Sequence, residues 1–93
     1  MTTVGSGSGD VVGFVSGSSL RSSVLKLLTN RPITPTEVAH LENKHVSHIC
    51  RTIRELEDAG LVEFVASESR QRYYRATTTG YALALIITNK AAR

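Results

Sequence analysis

The stretch HVSHICRTIRELEDAGLV, residues 45–62, decides how this chain is read. Val46, Ile49, Ile53 and Leu56 recur there at i, i+3, i+7 and i+10, the spacing of one apolar stripe on a helix, and Cys50 lies beside them. These positions are expected to face the core. Gly60 fits the C′ position that ends a helix in left-handed geometry, with Leu61 able to pack back on Leu56. The helix is therefore expected to stop at Ala59.

The polar residues of this helix admit several chemistries, and spacing separates them. His45 and His48 are three apart and can share a face, but Cys50 is turned toward the apolar stripe and His40 falls on another helix. Nothing has paired CxxC or HExxH spacing, so neither a metal site nor a cofactor is expected. Cys50 on a buried stripe reads as a small hydrophobe, and no third residue stands out to orient a histidine toward it. Catalytic residues are not expected, and the chain does not read as an enzyme.

What remains is the order of charge. The early polar positions, Lys44, His45, Ser47, His48, Arg51, Thr52 and Arg54, include no acid, whereas Glu55, Glu57 and Asp58 gather at the C-terminal end. Arg54 and Asp58 are spaced for an i, i+4 ion pair. The helix dipole favours acids at the N-terminus, so a helix built only for solubility would be charged the other way round. An N-terminus left positive suits phosphate.

Working outward, ITPTEVAHLE (33–42) opens a preceding helix. Thr34 is placed as N-cap, Pro35 as N1 and Glu37 as N3, a capping box, with Val38, Ala39 and Leu41 as a narrow apolar face. ENKH (42–45) is a short break. Earlier still, Leu20, Val24, Leu27 and Leu28 form a helical stripe that starts at Ser18 or Ser19 and ends before Pro32, which disfavours helical geometry at Arg31. DVVGFV (10–15) fits either a brief strand or a helical lead-in.

After Gly60 the period falls to two. LVEFVA (61–66) and RYYRAT (72–77) read as a hairpin with a loop of about five residues. Tyr74 and Ala76 share one face, with Tyr73, Arg75 and Thr77 on the other. Thr77 then caps a final helix of about ten to thirteen residues containing Tyr81, Leu83, Leu85 and Ile86.

Composition agrees with a single small domain. The chain has 93 residues, 41% hydrophobic and 20% charged. Residues 1–10 are rich in Gly, Ser and Thr and read as a flexible tail, leaving 11–93 as the domain. One cysteine cannot build a disulfide framework, which fits a cytoplasmic setting. No apolar run approaches the roughly 18 residues of a membrane span, and the N-terminus lacks the pattern of a secretory signal. Net charge is +3, and eight of the eleven Lys and Arg residues are arginine, the better partner for phosphate and guanine.

The element order places the stretch at 45–59 as the second helix of a helix-turn-helix, the one that enters the major groove. Ser47, His48, Arg51 and Thr52 would meet base edges, Arg51 taking guanine O6 and N7 together. Lys44, His45 and Arg54 would touch phosphates. The hairpin tip (67–72) carries Arg70 and Arg72 and would act as a wing on the backbone or in the minor groove. The expected fold is α+β, mainly α: three helices, a two-stranded wing hairpin and a C-terminal helix. An alternative use of the same fold is as a protein–protein adaptor in a transcription complex. Another is as a redox or metal sensor acting through Cys50 and the histidines.

Residues 18–80 resemble the archaeal winged helix-turn-helix transcription regulators of the ArsR/MarR-like kind. The most specific parts are TPTEVA, HVSHICRTIRELEDAGLV and YYRATTTG, in that order and spacing. The resemblance implies a repressor or activator that binds double-stranded DNA, usually as a homodimer on a near-palindromic operator, with Ser47, His48, Arg51 and Thr52 at the reading positions. Metal-sensing relatives carry clustered cysteines, which a lone Cys50 does not match. Larger relatives build an effector pocket from long terminal helices, and no small-molecule effector is evident here. The apolar final helix YALALII exceeds what one core stripe requires; Tyr81, Leu85 and Ile86 are expected to form the dimer contact, with extra core packing as the alternative use of the same residues.

Overall fold

Ser18 begins the first long helix by accepting a hydrogen bond from the Arg21 amide at 3.2 Å, as an N-cap should. In the computed structural model, which describes residues 11–91, that helix is preceded by a shorter one, so the chain runs α1 (11–16), α2 (Ser19–Asn30), α3 (Pro35–Glu42), α4 (Val46–Asp58), β1 (Val62–Glu68), β2 (Gln71–Ala76) and α5 (Thr78–Ala91). The segment that sequence left open between strand and helix is helical from residue 11, and Val15 is fully buried. The expected tail at 1–10 lies outside the described residues.

Each terminus has a local cause. Arg31, held before Pro32, is extended at φ −167°, ψ 163°, and α2 ends there. Thr34 caps α3 by accepting from the Glu37 amide at 3.2 Å. The expected capping box forms on this side, but the Glu37 carboxylate turns away to Arg31 at 2.7 Å, because the extended Arg31 brings its guanidinium alongside. Asn43 ends α3 in the left-handed region at φ 57°, ψ 48°, a conformation Asn tolerates better than most residues. The end of α4 is a complete Schellman motif, with the Leu61 amide donating to Leu56 O and the Gly60 amide to Glu57 O, both at 2.9 Å. Gly60 supplies the positive φ of 78°.

The hairpin differs from the expected one. The strands extend to Glu68 and resume at Gln71, leaving a two-residue turn of Ser69 and Arg70, both at positive φ (51° and 69°). That is the backbone pattern of a type I′ turn, whose twist suits antiparallel strands, so the loop is two residues and not five. Phe64 pairs with Tyr74 and Ala66 with Tyr73, with the register shifting between Phe64 and Ala66. Tyr74 and Ala76 pack on the core, as their shared face required. Ile33 and Tyr74 exchange amide bonds of 3.0 and 2.9 Å, which ties the hairpin to the α2–α3 connection.

Thr77 joins three elements. Its hydroxyl donates to Gly60 O at 2.7 Å and accepts from the Gly80 amide at 3.1 Å, while its own amide donates to Leu61 O at 2.9 Å. It caps α5 as expected and fixes that helix to the exit of α4.

The core gathers Val15, Leu25, Leu28, Ile33, Ile53 and Leu61 with partners from α3, α5 and the start of β1. Leu25 is fully buried where Leu20 and Leu27 of the expected α2 stripe only flank the core, and Leu41 of α3 is exposed. Among the described residues, no helix is long and apolar enough to cross a membrane.

Candidate nucleic-acid interface

The helix-turn-helix is positioned from both ends of α4. Left-handed Asn43 reverses the chain after α3, and the Lys44 amide donates to Ala39 O at 3.0 Å, locking the turn. His45 is the N-cap of α4 and makes no side-chain capping bond, and the first turn holds no acid. The N-terminal end of α4 therefore projects its positive dipole outward without a carboxylate to offset it.

The inner face of α4 is Ile49, Thr52, Ile53 and Leu56. Thr52 is three residues after Ile49 and four before Leu56, so it falls inside the buried arc. It is only 4% exposed, and its hydroxyl donates to His48 O at 3.1 Å. The expectation that Thr52 reads bases is corrected: its hydroxyl is occupied on its own helix and turned inward. Val46 and Cys50 are corrected in the opposite sense. Centring the arc on Ile49 and Leu56 rotates both outward, so Cys50 is exposed and Val46 is 45% exposed. Ser47, His48, Arg51 and Arg54 are exposed as expected, and Lys44 and His45 are exposed at the turn.

Charge sorts the arginines into two groups. Arg21 pairs with Glu55 at 3.2 Å, Arg31 with Glu37 at 2.7 Å and Arg75 with Glu63 at 2.9 Å. Hydrogen bonding to Arg31 holds the Glu37 carboxyl below the usual carboxylate range. Arg51, Arg54, Arg70 and Arg72 are exposed and form no ion pair among the described side chains. The expected Arg54–Asp58 pair is not made, which leaves both side chains to solvent. Among the described residues, the four arginines without an ion pair lie on the outer side of α4 or on the hairpin.

The two hairpin arginines are held differently. Arg70 occupies the tip itself, at the second position of the turn. Arg72 folds back over the strands: its guanidinium carbon lies 4.6 Å from the centre of the Phe64 ring, and its Nε donates to the Tyr74 hydroxyl at 3.2 Å. A cleft between α4 and the hairpin is lined by Pro35, Cys50, Arg54, Glu57, Arg72 and Tyr74, among others.

The C-terminal helix α5 has two apolar faces. Leu83, Ala84 and Ile87 are buried, whereas Tyr81, Leu85 and Ile86 are 53%, 52% and 48% exposed. No group of three or more His, Cys, Asp or Glu side chains among the described residues is placed to hold a metal ion.

Sequence reasoning missed the roles of Phe64 and Tyr74 beneath Arg72, because which residue of β1 stands opposite Tyr74 depends on the hairpin register, which a period-two pattern does not set. The outward turn of Cys50 could have been found by centring the helical arc on Ile49 and Leu56.

No family model matches the chain, and no curated protein matches it. Solved structures do. The adhesin competence repressor AdcR of Streptococcus pyogenes superposes with a TM-score of 0.73 at 18% identity, over 81% of this chain and 57% of that one. A variant of ZitR from Lactococcus lactis gives 0.75 at 14% identity, over 81% and 53%. MepR, a transcription regulator of the Staphylococcus aureus multidrug efflux pump MepA, gives 0.73 at 18% identity, over 78% and 56%. At these identities the likeness is one of fold: the chain has the winged-helix architecture of these regulators. It spans a little over half the length of each.

Proposed function

We propose that this chain is a sequence-specific, double-stranded-DNA-binding transcription regulator that works as a homodimer. The observation that carries the reading is the sorting of the arginines. Among the described side chains, Arg21, Arg31 and Arg75 are paired with glutamates, whereas Arg51 and Arg54 on the outer side of α4 and Arg70 and Arg72 on the hairpin form no ion pair. An unpaired surface cation meets phosphate without first breaking an ion pair, and each one that does so releases counterions from the duplex. The fold shared with AdcR, named a repressor, and MepR, named a transcription regulator, agrees with this reading.

In this mechanism α4 lies in the major groove. Ser47, His48 and Arg51 face base edges, with Arg51 bidentate to a guanine. Lys44, His45 and Arg54 contact phosphates on either side, and the wing carries Arg70 and Arg72 to the backbone or minor groove. Tyr81, Leu85 and Ile86 of α5 cover one another across a two-fold axis, which fixes the separation of two recognition helices and hence of two half-sites.

The test is selection of bound duplexes from a random pool, with palindromy and half-site spacing read from the consensus. Arg51→Ala should then cost about 1–3 kcal/mol at one position of the site and relax preference there. Arg70→Ala should weaken binding to all sequences alike and reduce the salt slope by about one. A chain that shows no salt-dependent binding to any duplex would end this reading.

A further inference from the structure

Arg72 is the most constrained of the unpaired cations. Its guanidinium lies over Phe64 at 4.6 Å and within 6.0 Å of the Tyr74 ring centre, and Tyr74 also takes its Nε–H. Phe64 and Tyr74 are themselves cross-strand partners, with ring centres 5.9 Å apart in an edge-on arrangement. Tyr74 is anchored further by the core and by its two amide bonds to Ile33. The side chain is thus held by groups that are fixed before any ligand arrives.

Stacking and one Nε–H bond use only part of what a guanidinium offers. Among the described side chains, its terminal N–H donors have no partner. They belong to a side chain that lines the cleft between α4 and the wing, and Arg54 lines the same cleft from the helix side. The cleft has a volume of about 300 Å³ and also contains Glu57, so an anion seated there meets two cations and one carboxylate. On the DNA-binding reading, a strand passing from the groove met by α4 to the groove beneath the wing would carry a phosphodiester past this position.

We infer that Arg54 and Arg72 form a two-armed seat for that phosphodiester, and that Phe64 and Tyr74 are positioning residues that hold Arg72 in it. The inference rests on the DNA-binding reading above and adds to it a division of labour within the wing. Arg70 at the tip reaches outward from a turn, whereas Arg72 grips from a fixed place beside the recognition helix. The entropy of ordering a long side chain is met in advance for Arg72 and not for Arg70.

The experiment is a double-mutant cycle on the full chain, using a random-sequence duplex and a salt titration. Arg72→Ala should weaken binding several-fold and lower the salt slope by about one. Phe64→Leu, which keeps an apolar side chain but removes the ring, should weaken binding several-fold with Arg72 present and have no effect when Arg72 is already Ala. Phe64→Trp should restore affinity, since indole is the better cation–π face. Tyr74→Phe, which removes only the hydroxyl, should show the same dependence on Arg72 in smaller degree. Equal losses from Phe64→Leu in both backgrounds would mean that Phe64 acts through wing stability alone, and the inference would be overturned. It is overturned equally if Arg72→Ala leaves affinity and slope unchanged while Arg51→Ala does not. Absence of salt-dependent binding in the unaltered chain would instead remove the DNA reading itself.

Discussion

Replacing Gly80 by alanine tests the junction that aims α5. Gly80 is the third residue of α5 and is buried against the exit of α4. A Cβ built there would lie 1.9 Å from the Leu61 carbonyl oxygen and 2.9 Å from its carbonyl carbon. An ordinary contact needs about 3.5 Å, so helix and strand must separate by about 1.5 Å. Both neighbours are backbone, which cannot swing aside as a side-chain tip can. The separation also pulls on the bond from the Thr77 amide to Leu61 O, because the same oxygen is the one struck. Overpacking of this kind costs about 1–3 kcal/mol. Weakening the Thr77 bond adds about 0.5–1.5 kcal/mol. Helix propensity returns at most about 1 kcal/mol, and less so near an N-terminus. The expected net loss is about 1–3 kcal/mol, read as a lowered urea midpoint at unchanged slope. Gly13→Ala is the internal comparison: it is also helical but meets nothing within 4 Å, so it should be neutral or stabilising. Gly80→Ala as stable as the parent would refute the close approach of α5 to Leu61.

Three further outcomes are expected. Thr52→Val should leave the selected DNA consensus unchanged while costing about 0.5–1.5 kcal/mol of stability through the lost bond to His48 O, and a shifted consensus would show that Thr52 reaches the duplex after all. Leu85→Glu should give a folded monomer by sedimentation, because it charges the exposed face of α5 and spares Leu83, Ala84 and Ile87 beneath; a dimer that survives it would place the interface elsewhere. Glu37 is held below its ordinary range by Arg31, so its contribution to stability is present above the unfolded carboxylate value and lost as pH falls through the folded one. Glu37→Gln should accordingly flatten the acid side of the stability profile, and parallel profiles for the two chains would show that the pair contributes nothing to folding.

Most of the architecture was legible because strong local signals agreed with the tertiary result. Ser18, Thr34, Gly60 and Thr77 each end or begin a helix by a hydrogen-bonding pattern that depends on a few consecutive residues. The charge order of α4 was legible for the same reason. The misses lie where a choice depends on partners distant in sequence. A stripe of four apolar residues defines a helix face only to within one position either side, and which flank is covered depended on how α4 meets its neighbours. That uncertainty exchanged Thr52 for Val46 and Cys50. The turn at Ser69 and Arg70 was illegible because neither residue is Gly or Asn, the residues that usually announce two consecutive left-handed positions.

The reciprocal amide bonds between Ile33 and Tyr74 have a consequence for how a target would be chosen. They fasten the middle of β2 to the segment that leads into α3, while the Thr77 bonds fasten the base of the hairpin to the close of α4. On the proposed DNA-binding reading, recognition helix and wing are therefore held at a fixed spacing at the base of the hairpin. A duplex whose grooves do not present phosphates at that fixed interval must twist or bend to meet both, and the energy of doing so varies with base sequence. Base pairs that no side chain touches would then influence affinity through their stiffness.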